Sequence, residues 1–244
     1  MSAPVFLVTG GSRGIGEAVA LAAAKTGRFV ILTYVENEAR ALAVVERIRS
    51  DGGQALALRA DTGVEADVLK LFEAVDRQGR LETLVYNSGI TGERSTLAEA
   101  QTATFARVLE VNLSGAMICA REAIRRMSTA RGGQGGSIVF VSSRAALYGS
   151  PNEFVWYAAS KGGIDSLTIG LSREVAAEGV RVNAVSPGPI ATEMLSREKL
   201  EAVGVVSPMK RAGAPDEVAA AILFLASDAA SYVTGANLAV SGGR

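Results

Sequence analysis

Val5-Phe6-Leu7-Val8-Thr9-Gly10-Gly11-Ser12-Arg13-Gly14-Ile15-Gly16 opens with a short apolar run and passes directly into a glycine-rich turn. Four consecutive apolar residues suit a strand buried on both faces of a parallel sheet. The alanine-rich stretch that follows suits a helix near residues 14–26. Glycines at such a junction let the chain bend tightly, let a pyrophosphate approach the main chain and aim free N–H groups at the anion. The turn therefore reads as a dinucleotide-binding loop made of Gly10, Ser12, Arg13, Gly14, Ile15 and Gly16; a tight turn without a ligand is the plainer alternative.

The rest of the chain repeats the same rhythm. Short apolar, β-branched runs recur at Val5–Val8, Phe29–Tyr34, Ala55–Arg59, Leu84–Tyr86, Ser137–Val141, Val180–Val185 and Leu238–Val240. Helical stretches lie between them, near residues 36–50, 64–78, 99–130, 153–178 and 215–227. Strand alternating with helix predicts an α/β fold: a doubly wound, Rossmann-type parallel sheet of about seven strands with helices on both faces. A length of 244 residues with 48% apolar content suits a single domain spanning 1–244. The stretch 191–214 lacks periodicity, and a loop of that length inside a compact domain predicts a substrate cover or, more plainly, a surface excursion.

Composition excludes several functions. Lys plus Arg and Asp plus Glu number 25 each, which leaves no electrostatic case for nucleic acid or an anionic membrane. Arg121, Arg125, Arg126 and Arg131 read as the basic end of a helix complementing its dipole. The single cysteine, Cys119, excludes an intramolecular disulfide and suits a reducing compartment as a buried, inert thiol. No apolar run is long enough to span a bilayer, and the chain enters a strand almost at once, so a cytoplasmic protein without a signal peptide is expected. There is no histidine. That removes histidine-ligated metal sites, and no metal is expected. It also disposes of the G-x-S-x-G match at Gly10–Gly14, whose serine would need a histidine partner.

The remaining chemistry centres on Tyr157-Ala158-Ala159-Ser160-Lys161. Four residues apart on one helix, the phenol and the ammonium share a face. A nearby cation favours the phenolate, so Lys161 is expected to lower the Tyr157 pKa and make a proton donor and acceptor usable near neutrality.

Taken together, these motifs resemble the short-chain dehydrogenase/reductase family in its single-domain branch, over essentially the whole chain. The spacing of Gly10, Gly14 and Gly16 matches that branch. Asp61 matches the family's adenine-contacting aspartate, and Asn87-Ser88-Gly89 its Asn-Ala-Gly element. Asn112, Ser143, Tyr157 and Lys161 match the catalytic tetrad, while Pro187, Gly188, Ile190 and Thr192 fall in the nicotinamide-side loop. Tyr86 and Ser88 depart from the common asparagine and alanine, which predicts altered packing at a strand end without lost binding. The interval from Ser143 to Tyr157 is one residue longer than in many relatives and leaves Ser142 as an alternative, although the strand running into the pair favours Ser143.

The resemblance implies hydride transfer between a nicotinamide cofactor and a carbonyl or alcohol. Tyr157 would exchange a proton with the substrate oxygen, Ser143 would stabilise charge there, Lys161 would hold the nicotinamide ribose, and Asn112 would hold a water leading to solvent. An NAD-specific relative would carry an acid at the end of the second strand. Tyr34 stands there, and Arg13 is able to meet a 2′-phosphate, so NADP is expected, with NAD as the alternative through Glu36. Relatives reducing 3-oxoacyl-carrier-protein substrates and those oxidising sugars or polyols resemble the chain equally. A carrier-protein partner would want a basic patch, to which Arg144, Lys199, Lys210 and Arg211 are candidates. A non-catalytic NADP sensor or scaffold is the rival function, and a nucleotide-sugar epimerase a weaker one. The resemblance also implies a homo-oligomer, a homotetramer above all, built on the helices near 99–130 and 153–178 and on the C-terminal segment 234–243.

Overall fold

A computed structural model describes residues 3–193 and 207–244. Seven strands form one sheet: β1 Val5–Thr9, β2 Phe29–Tyr34, β3 Gln54–Arg59, β4 Leu81–Tyr86, β5 Gly136–Val141, β6 Val180–Pro187 and β7 Asn237–Val240. Every neighbouring pair is parallel, in the order β3-β2-β1-β4-β5-β6-β7. The helices are α1 Gly14–Ala24, α2 Glu38–Ser50, α3 Glu65–Gln78, α4 Thr102–Leu109, α5 Gly115–Met127, α6 Ala145–Tyr148, α7 Val155–Val175 and α8 Pro215–Ala226.

Alternation along β1 explains the two layers. Successive side chains of a strand leave opposite faces. Val5 and Leu7 pack with Phe72 of α3, Cys119 and Ala123 of α5 and Ile164 of α7. Phe6 and Val8 pack with Val19 of α1, Val45 of α2 and Ile222 of α8. Both faces of β1 are fully buried, as its unbroken apolar run requires. Cys119 lies in this core, where burial pushes its thiol far up. Among the described residues no helix is long and apolar enough to cross a membrane.

Two elements differ from the sequence expectation. The single helix expected over 99–130 is interrupted: between α4 and α5, Glu110–Ser114 forms a π-helical turn. Ahead of the helix expected near 153–178, the stretch between Ser143 and Tyr157 contains the one-turn helix α6. The excursion 191–214 lies partly outside the described residues, at 194–206. Its root is described: Gly213 N–H donates to the Pro189 carbonyl at 3.0 Å, and Ala191 N–H donates to the Gly213 carbonyl at 2.8 Å.

Candidate active site

Strand order reverses between β1 and β4, so the helices that follow these two strands leave on opposite faces and open a crevice at the carboxyl ends. The glycine turn forms one wall. Gly10 has φ +64°, a left-handed conformation that side chains disfavour. Asn87, just past β4, donates its Nδ2 to the carbonyls of Thr9 at 3.1 Å and Gly10 at 2.8 Å. The N–H groups of Asn87 and Ser88 both donate to Thr9 Oγ1, at 3.1 and 3.0 Å. A Cβ at Gly16 would overlap the Gly10 carbonyl and stand 2.6 Å from Asn87 Nδ2. Glycine at 16 therefore lets α1 press against the turn. First-turn N–H groups of a helix lack intrahelical partners, which leaves those of Gly14, Ile15 and Gly16 beside a turn without carboxylates. Such a cradle fits a pyrophosphate.

The neighbouring wall gathers the other expected nucleotide contacts. Asp61 accepts from Gly63 N–H at 2.9 Å through Oδ1, while Arg107 of α4 ion-pairs with its Oδ2. Tyr34, buried at the end of β2, donates its hydroxyl to Glu38 Oε1 at 2.9 Å. The carboxylate meeting Tyr34 is thus Glu38, the first residue of α2; Glu36, expected to reach back, lies exposed. Arg13 is exposed in the extended residue preceding α1. Pro187 ends β6, Gly188 N–H donates to the Val240 carbonyl at 3.0 Å, and Ile190 is buried against Gly213. The γ-methyl of Thr192 lies 3.3 Å from where a Gly14 Cβ would stand, so the strand-β6 loop closes onto the glycine turn.

A second cluster lies deeper. Tyr157 and Lys161 occupy adjacent turns of α7. Ser143 stands near enough to the Tyr157 phenol to lower its pKa, and accepts from Ala145 N–H at 3.1 Å. Ser142 points elsewhere, donating to Asp165 Oδ1 at 2.5 Å. The structure therefore brings Ser143, and not Ser142, to Tyr157. Lys161 is 3% exposed and donates its Nζ to the Val141 carbonyl at 2.7 Å. Asn112, carried on the π turn, donates to the Ile90 carbonyl at 2.9 Å and to Ser160 Oγ at 3.0 Å, and accepts from Ile90 N–H at 2.8 Å. A Gly89 Cβ would stand 3.4 Å from Lys161 Nζ and 3.5 Å from Asn112 Oδ1. Gly89 is thus the narrow point between the two groups.

The electrostatics correct the expectation for Tyr157. Its pKa is raised, not lowered: burial disfavours the phenolate, and the nearby Ser143 hydroxyl offsets only part of that. Lys161 is turned to the Val141 carbonyl, 5.7 Å from the Tyr157 ring centroid. Desolvation brings the Lys161 pKa down to about 8, with Asp165 acting in the opposite sense. Asp165 was not singled out from the sequence, although its position four residues after Lys161 puts it on the same face of α7.

The basic residues are similarly rearranged. Arg121, Arg125 and Arg126 all pair with the buried Glu122, and Arg126 also with Asp76 at 2.7 Å. Arg211 forks onto Glu217 with two bonds of 2.6 Å, and Arg144 stacks over Tyr148 at 5.5 Å. Lys199 lies outside the described residues. Arg211 is thus paired with a carboxylate, whereas Arg144 lies over an aromatic ring.

The sheet order and the crevice define a Rossmann-type α/β protein with a polar cluster facing a nucleotide cradle. Residues 10–244 match the family described as Enoyl-(Acyl carrier protein) reductase. The oxidoreductase YgfF of Escherichia coli (strain K12) is 46% identical, covering 98% of this chain and 99% of its own. A 3-oxoacyl-[acyl-carrier-protein] reductase of Synechocystis sp. is 38% identical, covering 100% and 97%. The crystal structure of a blue fluorescent protein from a metagenomic library, in complex with NADPH, superposes with a TM-score of 0.91 at 33% identity, covering 98% and 97%. The chain belongs to the short-chain dehydrogenase/reductase family and is an oxidoreductase of that type.

Proposed function

We propose that this protein is an NADP-dependent carbonyl reductase or alcohol dehydrogenase in which Tyr157 is the general acid and base. The observation that carries this reading is the grouping of four side chains: Tyr157 and Lys161 on adjacent turns of α7, Asn112 facing Lys161 across Gly89, and Ser143 beside the Tyr157 phenol. A bound nicotinamide supplies or accepts the hydride at the substrate carbon. The chain's own residues manage the oxygen. Tyr157, held protonated by burial, gives its proton to that oxygen in reduction and removes one in oxidation. Ser143 donates a hydrogen bond as negative charge develops. Lys161 holds the ribose hydroxyls and, when charged, favours the phenolate as it forms. Asn112 holds a water that passes protons outward from Lys161.

The nucleotide would be held by the Gly10–Gly16 turn, with Asp61 toward the adenine, Asn87 and Gly89 supporting it from the end of β4, and Pro187, Gly188, Ile190 and Thr192 on the nicotinamide side. Exposed Arg13 and the absence of an acid at Tyr34 favour a 2′-phosphate, in keeping with the NADPH-bound relative. Engagement of the Tyr34 hydroxyl by Glu38 is the feature that leaves room for NAD. Neutralisation of Arg211 by Glu217 favours a small, uncharged substrate over a carrier protein. Exposed Met117 on α5, Ile169 on α7, Phe224 on α8 and Leu238 on β7 support a homotetramer built on two faces. The single buried thiol suits the cytoplasm.

The test is a panel of aldehydes, α-diketones, β-ketoesters and polyols run with NADPH and NADH in parallel, on the native chain and on Tyr157→Phe. The variant is expected to lose roughly a thousandfold in kcat while retaining NADPH binding. Undiminished turnover would remove Tyr157 from its role; NADPH binding without turnover across the panel would favour a sensor.

A further inference from the structure

The phenol at the end of β4 has no place in the scheme above. Tyr86 is 1% exposed and packs edge-on against Phe140, with ring centroids 6.4 Å apart. Its hydroxyl meets two groups: the Val111 carbonyl, in a very short contact, and Thr62 Oγ1 at 3.0 Å. A carbonyl only accepts, so the single phenolic proton goes to Val111, and the Thr62 hydroxyl is free to donate to Tyr86. Val111 belongs to the π turn and immediately precedes Asn112. The far side of the phenol is enclosed by Gly115, the residue that follows the turn, where a Cβ would stand 2.6 Å from the Tyr86 oxygen.

A π turn holds one residue more than the α-helix around it, and the extra residue rotates every side chain within the turn relative to regular helix. Here that rotation delivers the Asn112 carboxamide to Ile90 and Ser160, the residue before Lys161. Within α4, the turn and α5, no proline forces the irregularity. We infer that Tyr86 is a positioning residue: its hydroxyl, bound to Val111 and fitted against Gly115, holds the π turn in the form that presents Asn112 to the catalytic cluster. This rests on the oxidoreductase reading above and identifies what sets the geometry of that same site.

The experiment compares the native chain with Tyr86→Phe, which keeps the ring and removes only the hydroxyl, and with Thr62→Val, which removes the other partner. Amide hydrogen exchange of peptides spanning residues 108–118 reads the turn without a substrate. It is expected to accelerate roughly tenfold in Tyr86→Phe, to change little in Thr62→Val, and to leave peptides of β1 unaltered in both. NADPH affinity, followed by cofactor fluorescence across pH, is expected to lose strength at a lower pH in Tyr86→Phe, because a displaced Asn112 leaves the Lys161 ammonium less well solvated. With a panel substrate, kcat is expected to fall roughly tenfold, with no further loss when Tyr86→Phe is added to Asn112→Ala. Native exchange and an unmoved pH dependence in Tyr86→Phe overturn the inference, as do equal effects from Thr62→Val or full additivity with Asn112→Ala. If Tyr157→Phe retains full turnover, the functional reading fails instead, and the exchange result alone decides whether Tyr86 holds the turn.

Discussion

The glycine turn after β1 and the π turn between α4 and α5 both depart from regular backbone, and both face the crevice, yet they are held in opposite ways. The first is local. Gly10 adopts its left-handed conformation and Gly16 admits the Gly10 carbonyl within a seven-residue span, so the residues that need the shape permit it, and Asn87 just past β4 only braces it. The second is remote. Glu110-Val111-Asn112-Leu113-Ser114 contains no glycine or proline, and the hydroxyl bound to its Val111 carbonyl lies 25 residues earlier, on β4. Irregular backbone imposed from within its own sequence tolerates little local change; backbone supported by a partner depends on that partner.

The largest effect is expected from Gly16→Val. Its branched side chain must displace the Gly10 carbonyl and the Asn87 amide, a rearrangement costing about 3 kcal/mol or more and abolishing NADPH binding. Urea unfolding and cofactor fluorescence measure both, and binding within tenfold of native would show that the turn is not held locally. Asn112→Ala comes next. It orphans the Ile90 N–H and carbonyl, with an expected stability loss of about 1–3 kcal/mol and a larger proportional fall in kcat than in NADPH affinity. An unchanged unfolding midpoint would mean that the π turn carries no stabilising bond to β4's loop.

The smallest concerns Lys161. Its folded pKa of about 8 lies below the unfolded value of 10.5, so the unfolded chain binds more protons between these values and stability rises with pH across that window. Between pH 8 and 9 the gain is about 1 kcal/mol, and it is expected to vanish in Lys161→Met. Parallel urea titrations of the two proteins at those pH values measure it. Equal slopes would place the lysine's proton affinity near that of an exposed one.

The same contrast governs what was legible in the sequence. The strand-turn-helix at the start could be read because glycine sterics act between neighbours, and the seven strands because burial on both faces demands continuous apolar runs. The helix expected over 99–130 could not be divided correctly from sequence, since Tyr86 and Gly115 become partners only in the folded sheet. Spacing placed Tyr157 and Lys161 on one face. It did not show that the ammonium turns to the Val141 carbonyl or that burial moves both pKa values toward the neutral forms. Likewise, the carboxylate that meets Tyr34 is Glu38, the first residue of α2, brought back by the bend at residues 35–36, which spacing alone did not show.

The hydrogen bonds that tie Gly213 to Pro189 and Ala191 give the stretch between them the character of a replaceable cassette. The two edges of the stretch are stitched side by side, which sets the separation of β6 from α8 at its root. Thr192 and Ser207 stand inside those edges, one against Gly14 and the other buried, so an exchange that keeps both is the one that leaves the glycine turn as it stands.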